Sequence, residues 1–296
     1  METLPSTGTS DLTVLSASRR TDIPAFFMDW FMKRMKAGFF SLTNPYNQKT
    51  HIIPVPPGQV AGIVFWSKNY RPFLDGAYGL RLLDMGLKLY FHFTVNSKNP
   101  LFEPNLPPLE LRLEQFAELA ALAGKGAVNW RFDPICHYTV NEGPVLGNLD
   151  DFDAIAEAAS EAGVGRCTTS FLDHYPKVMR RVSALHGLRL VSPCEAEKVM
   201  LLKDLEARLK NRGIGLFCCC EKETAALAGV PSGACVDHSL LEHLWGARLS
   251  GRADAGQRRQ AGCGCHESRD VGDYGLHPCP HGCLYCYANP VRGKSI

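Results

Sequence analysis

The chain carries no continuous apolar stretch of the length a membrane-spanning helix needs, so a membrane partner is not expected. It also shows no positively charged leader followed by a hydrophobic segment and a small-residue cleavage site, and the expected location is cytoplasmic. An excess of one charge is missing too. Against 32 Lys and Arg stand 30 Asp and Glu, and a net charge of +2 is too small to mark a nucleic-acid surface. Local pairs such as Arg19-Arg20 and Arg180-Arg181 read more simply as solvated or acid-paired groups. There is no G-x4-G-K-[S/T] phosphate loop, and the scattered Ser, His and Asp residues do not by themselves make a hydrolase triad.

What the chain has is cysteine. Twelve cysteines in 296 residues, crowded toward the C-terminal end, do not read as a secreted disulfide framework, because a chain of this length can bury a substantial core without staples. A reducing compartment keeps such thiols available as thiolates. Cys279, Cys283 and Cys286 stand in CPHGCLYC at C-x3-C-x2-C spacing. A short loop with this spacing can direct three thiolates at one 4Fe-4S cluster and leave its fourth iron for another ligand. The alternative is a structural zinc site built on the C-x2-C pair of Cys283 and Cys286, or buried free thiols.

The same loop, with Tyr285 before its last cysteine, resembles the radical-SAM superfamily signature. With His281 between the first two cysteines and Tyr287-Ala288-Asn289 after the third, it is also similar to the loop of spore photoproduct lyase and related repair enzymes. From SASRRTDIP to CPHGCLYCYAN the chain resembles a bacterial family known as domain of unknown function 1848. These resemblances imply that S-adenosylmethionine (SAM) occupies the open iron. They also imply reductive cleavage of SAM to methionine and a 5′-deoxyadenosyl radical. Around Cys220-Glu221, Cys235-Val236-Asp237 and the pair Cys263 and Cys265 the text resembles recurrent family signature. A second 4Fe-4S cluster on Cys220, Cys235, Cys263 and Cys265 is therefore a candidate. Against it stands a small zinc site, with Cys218 and Cys219 alternating between buried strand faces.

Ahead of the cysteine-rich ending, short β-like runs alternate with amphipathic helical runs. LTVLSAS, QVAGIVFWSKN, KLYFHFTVN, AVNWRFDPI, GRCTTSF, LRLVSPC and GIGLFCCC each precede a helix-like segment. That alternation predicts an α/β fold, a TIM-like or partial (β/α) barrel of approximately eight units. The expected division is a catalytic barrel over 1–235 and a cluster-bearing cap over 236–296 at the barrel mouth. Radical-SAM loops ordinarily follow the first barrel strand, yet only ten residues follow Cys286. Either the barrel is circularly permuted, or the motif holds a cluster that never meets SAM.

In parallel barrels the strand ends carry the site. Arg19, Arg20, Lys68, Asn69, Asn96, Arg131 and Asp133 lie at such ends and are candidates to hold SAM or an anionic substrate. Salt bridges and helix caps are their structural alternative. Near the cysteine loop, Arg269 is a candidate carboxylate ligand with Asp270 orienting it, and Tyr274 a candidate hydrogen-atom donor. Glu103-Pro104-Asn105 resembles an EP segment of the photoproduct-lyase-related barrels, which implies a substrate wall or a contact with SAM; an ordinary rigid turn is the structural alternative.

The expected function is a radical-SAM enzyme abstracting hydrogen from an unidentified small molecule or peptide. Its electrons would come from a low-potential donor such as a flavodoxin or ferredoxin. A different expectation is an iron-sulfur electron-transfer or structural binding protein without SAM cleavage. Photoproduct-lyase-like nucleic-acid repair is the third.

Overall fold

The structure is a computed structural model that describes residues 12–43 and 49–291. Seven strands make one sheet in which every neighbouring pair is parallel. They are β1 (Thr13–Ala17), β2 (Val60–Ser67), β3 (Lys88–Thr94), β4 (Val128–Ile135), β5 (Arg166–Phe171), β6 (Gly215–Cys218) and β7 (Arg269–Asp270). Their order across the sheet is β6-β5-β4-β3-β2-β1-β7. Sequential strands that neighbour one another through helical crossovers are what a (β/α)-barrel-like arrangement requires. The last strand returns beside the first, so the segment expected as a cap also contributes to the sheet.

β2 to β5 are largely buried along their length, which fits their near-continuous apolar text and helices packed outside. On one face Leu15, Ile63, Phe65, Phe91 and Phe93 join the main core with Phe31, Phe73 and Phe116 of the outer helices. In helix Leu109–Ala123 the buried positions include 109, 112, 116, 119 and 120, one stripe of a helical surface. Met28, Met32 and Met35 fill this same core, as their spacing predicts. On the other face Val14, Val64 and Tyr90 pack against Leu241 and Trp245 of helix His238–Trp245. That helix is capped by Asp237, whose side chain accepts from the Leu240 amide, and stops at Gly246 with φ of 63°.

Two departures from expectation lie outside the main sheet. Leu188–Val191 pairs antiparallel with His137–Val140 in a separate three-stranded sheet and adds no strand to the parallel one. Phe39–Thr43 and Thr50–Pro54 form a two-stranded antiparallel pair that the alternation does not announce. Among the described residues no helix is long and apolar enough to cross a membrane.

Candidate functional site

Side chains two apart on a strand share a face. Val64 and Trp66, Tyr90 and His92, Asn129 and Arg131, and Thr168 and Ser170 therefore form successive inward layers, apolar toward the strand starts and polar toward their ends. The middle layer is hydrogen-bonded across strands. Asn129 Nδ2 lies 2.9 Å from His92 Nδ1, Thr168 Oγ1 donates to Asn129 Oδ1 over 3.2 Å, and Trp66 stacks on His92 with ring centroids 4.9 Å apart. Burial pushes His92 down to about 4, with the neighbouring Arg131 charge acting in the same direction and Cys235 opposing.

Above this layer, at the strand ends, lies a cavity of about 610 Å³. Arg19, Arg20, Lys68, Arg131, Asp133, Asp270 and Tyr274 line it, so seven of the polar residues expected at the site meet there. Cys279, Cys283 and Cys286 line it too, and so do Cys219, Cys220, Cys235, Cys263 and Cys265. The two cysteine groups, separate in the sequence, thus open on one space.

The CPHGCLYC loop is held against the rest of the fold at several points. The Leu284 amide donates to Phe102 O over 2.8 Å, Asn105 Nδ2 to Pro280 O over 2.9 Å, and Arg181 to the carbonyls of Leu284 and Cys286. His281 Nε2 lies 2.9 Å from Asp22 Oδ2, which also accepts from the Lys68 amide at 2.9 Å. Tyr285, 8% exposed, places its hydroxyl against Glu103, 3.0 Å from Lys68 Nζ and 2.9 Å from Asn96 Nδ2. Burial raises Glu103, but the charges of Lys68 and Arg112 outweigh it and hold the carboxyl below its ordinary range. Burial likewise pushes the Cys279 thiol up to about 12.

The second cysteine group gathers on one wall of the cavity. Cys219 Sγ lies 3.6 Å from Cys220 Sγ and 3.9 Å from Cys235 Sγ. The Cys235 amide donates to Cys265 Sγ over 3.3 Å, which ties the pair before β7 to Cys235. The hydrogen bonds from Cys219 and Cys265 pull Cys235 well below the ordinary thiol range, and those from Cys220 and Cys265 pull Cys263 down to about 3. Cys219 is the member that strand alternation misses. Cys220 has φ of 60°, and this left-handed turn ends the alternation just where the two thiols face the same cavity. Cys218, by contrast, is buried in the main core. Among the described residues no group of three or more His, Cys, Asp or Glu is arranged to hold a metal ion.

Several expected roles are corrected. Arg269 is exposed and lines a separate groove with Thr13, Ile53 and Gln59, while Asp270 faces the cavity. Adjacent strand residues point to opposite faces, so Asp270 does not orient Arg269. It pairs instead with Arg20 at 3.3 Å and accepts from Ser16 Oγ at 2.5 Å and the Arg19 amide at 2.9 Å. Asn69 is outside the cavity lining; its Oδ1 caps the Arg71 amide at 3.1 Å and accepts from Gln115. Asn96 is buried off the cavity, joining Tyr285 to the β4 backbone at Asp133. Lys68 does meet a carboxylate, but it is the protein's own Glu103, at 2.6 Å. Arg131 is likewise paired with Asp133, at 2.7 Å, while its Nη1 donates to Cys235 Sγ over 2.9 Å.

Besides Asp270 Oδ2, which is ion-paired with Arg20, three polar atoms on cavity-lining residues are buried without a hydrogen-bond partner: Arg19 Nη2, Thr21 Oγ1 and His281 Nδ1. Each is a group that a bound polar ligand would satisfy. Arg19 is otherwise anchored by Ser268 Oγ at 3.2 Å and by the Trp66 ring, 5.1 Å beneath its guanidinium.

No curated protein matches the chain by sequence. Among solved structures, a bifunctional proline utilization A (PutA) protein aligns at 14% identity and a TM-score of 0.36, over 92% of this chain and 27% of its own. A PutA mutant of Bradyrhizobium japonicum gives 14%, 0.35, 91% and 27% in the same order, and a Thermobaculum terrenum O-GlcNAc hydrolase mutant 11%, 0.29, 74% and 55%. The chain therefore spans 27% of the length of either PutA chain, and likenesses this loose say nothing of its activity. A family model, by contrast, covers residues 14–288, and the chain belongs to the family described as domain of unknown function (DUF1848).

Proposed function

We propose that the protein is a radical-SAM enzyme whose Cys279, Cys283 and Cys286 hold a 4Fe-4S cluster at the mouth of the barrel. The observation that carries this reading is the convergence of the three loop thiols on a cavity at the strand ends, beside buried polar atoms that lack partners. A 4Fe-4S cluster takes each thiolate on a different iron, so its ligands surround a volume and need not meet at one point. When bound, such a cluster with SAM on its open iron supplies the electron from a low-potential donor that yields methionine and a hydrogen-abstracting 5′-deoxyadenosyl radical.

The chain's own residues would bind and orient. Arg19 offers an unpaired guanidinium nitrogen to a carboxylate, and Thr21 an unpaired hydroxyl. His281, fixed through Nε2 by Asp22, presents Nδ1 beside the cysteine loop. Tyr285, Lys68 and Glu103 lock the loop to the barrel and keep its underside dry. A hydrogen donor is supplied by a small molecule or peptide that enters the same cavity.

The test is electron paramagnetic resonance of the anaerobically reconstituted, reduced chain with and without SAM, beside a variant with Cys279, Cys283 and Cys286 all replaced by alanine. A loop-dependent signal that shifts on adding SAM supports the enzyme. A loop-dependent signal indifferent to SAM transfers the reading to electron transfer or structure.

A further inference from the structure

We infer that the group of Cys219, Cys220, Cys235, Cys263 and Cys265 is a second 4Fe-4S site, and that it faces the same substrate space as the loop cysteines. The inference does not depend on SAM binding at the first site. Its first support is geometric. Five thiols from three stretches of chain line one cavity, with Cys219 Sγ against both Cys220 Sγ and Cys235 Sγ and the Cys235 amide on Cys265 Sγ, one thiol more than a four-iron cube requires. Thiols collected only to fill a core would be surrounded by apolar side chains, as Cys167 and Cys218 are. This group instead lines a cavity with arginines and carboxylates.

The second support is the cationic shell. Arg131 Nη1 donates to Cys235 Sγ over 2.9 Å from a side chain that is 8% exposed. Arg259 Nη1 donates to the carbonyls of Cys263 and Cys265 at 3.1 and 3.5 Å. Arg258, paired with Asp173 at 2.5 Å, lies on the cavity wall beside the group. Guanidinium donors at sulfur and around the ligand backbone balance the negative charge of a thiolate-bound cluster and tune its potential. A neutral thiol core has no use for them.

The third support is position. Cys219 and Cys220 follow β6, Cys235 sits over the inward layer through His92 Nε2, 2.6 Å from its carbonyl, and Cys263 and Cys265 precede β7. All open at the end of the barrel where the loop cysteines open. A centre placed there borders the same cavity as the loop cysteines.

Iron, acid-labile sulfide and zinc per chain, measured on the anaerobically reconstituted full chain, test this. In the variant with Cys279, Cys283 and Cys286 replaced by alanine, iron is expected to fall about twofold, from about eight to about four per chain, with a 4Fe-4S Mössbauer spectrum remaining. In that background, single serine substitutions in the group are expected to lower the remaining iron at four positions and spare it at the redundant fifth, whereas Cys194→Ser has no effect. With both sites loaded and reduced, spin coupling is expected to broaden the wild-type signal relative to either site alone. Loss of all iron from the loop variant, or zinc in its place, overturns the proposal. About four irons per chain in the wild type, unchanged in the loop variant, overturns the reading of the first site and leaves this one standing. Uncoupled signals would remove the shared substrate space.

Discussion

Lys68 Nζ lies 2.6 Å from Glu103 Oε1, and both reach the hydroxyl of Tyr285, the residue immediately before Cys286 in the loop. The pair is buried, with side chains 15% and 3% exposed. Removing one member of such a pair leaves an uncompensated charge. Lys68→Met is therefore expected to destabilise the fold by about 3 kcal/mol and to loosen residues 279–286. The double variant Lys68→Met/Glu103→Leu is expected to recover much of that loss, because neither charge is then stranded. Denaturant unfolding gives the first quantity and hydrogen exchange over the loop the second; equal destabilisation in single and double variants would refute the ion-pair account.

His92 makes stability depend on pH. Its pKa is lowered to about 4 by burial, whereas the unfolded imidazole titrates near about 6.5. Between these values the unfolded chain holds a proton that the folded chain does not, so stability falls as pH drops through that window and is retained above it. The full effect is on the order of 3 kcal/mol. Urea unfolding at several pH values is expected to show this slope, and His92→Gln to flatten it. An unchanged slope in the variant would place the titration elsewhere.

Much of the parallel sheet was legible because its central strands are buried on both faces and its helices carry a single apolar stripe. Where the text did not suffice, the reason is local. The apolar run at Leu188–Val191 has the composition of a barrel strand, but four residues do not specify a partner, and it pairs with His137–Val140. Arg269 and Asp270 form a two-residue strand, and one step of register decides which faces the cavity. The Lys68–Glu103 pair joins residues 35 apart, a contact no spacing rule describes. Cys219 is expected on a buried strand face because extended backbone alternates, and only the left-handed turn at Cys220 brings both thiols to one wall. The C-x3-C-x2-C spacing, in contrast, marked three of the eight thiols that share the cavity, and the resemblance to family signature text marked four more.

Gly282 fixes the bend inside the loop. Its φ is 69°, and a Cβ there would lie 3.0 Å from Asn105 Nδ2 and 3.1 Å from Val291 O. Gly282→Ala is expected to cost about 1–2 kcal/mol and to reduce iron retained at the loop. Gly213, with φ of 70° and nothing within 4 Å of such a Cβ, provides the comparison. Thermal unfolding of the two alanine variants separates the backbone term they share from the close approach that only Gly282 has. Equal losses would mean that the approach is relieved by a small shift of Asn105.

Arg19 is the cavity's best-placed partner for a ligand carboxylate. Ser268 and the Trp66 ring fix its guanidinium, yet Nη2 remains buried without a partner. A hydrogen bond to a charged group contributes about 1.5–3 kcal/mol, so Arg19→Gln is expected to weaken SAM binding about ten- to a hundredfold. Arg20 is committed to Asp270 and to Gly272 O, so Arg20→Gln is expected to change affinity much less. Anaerobic calorimetry on the reconstituted chain reads both values, with iron content as the control for cluster loss. Arg19→Lys distinguishes charge from geometry: a compact ammonium on a flexible stem cannot keep the Trp66 stack and the Ser268 bond while reaching the ligand. Affinity restored by lysine would show that charge alone matters there; affinity unchanged in Arg19→Gln at full iron would remove Arg19 from the binding site.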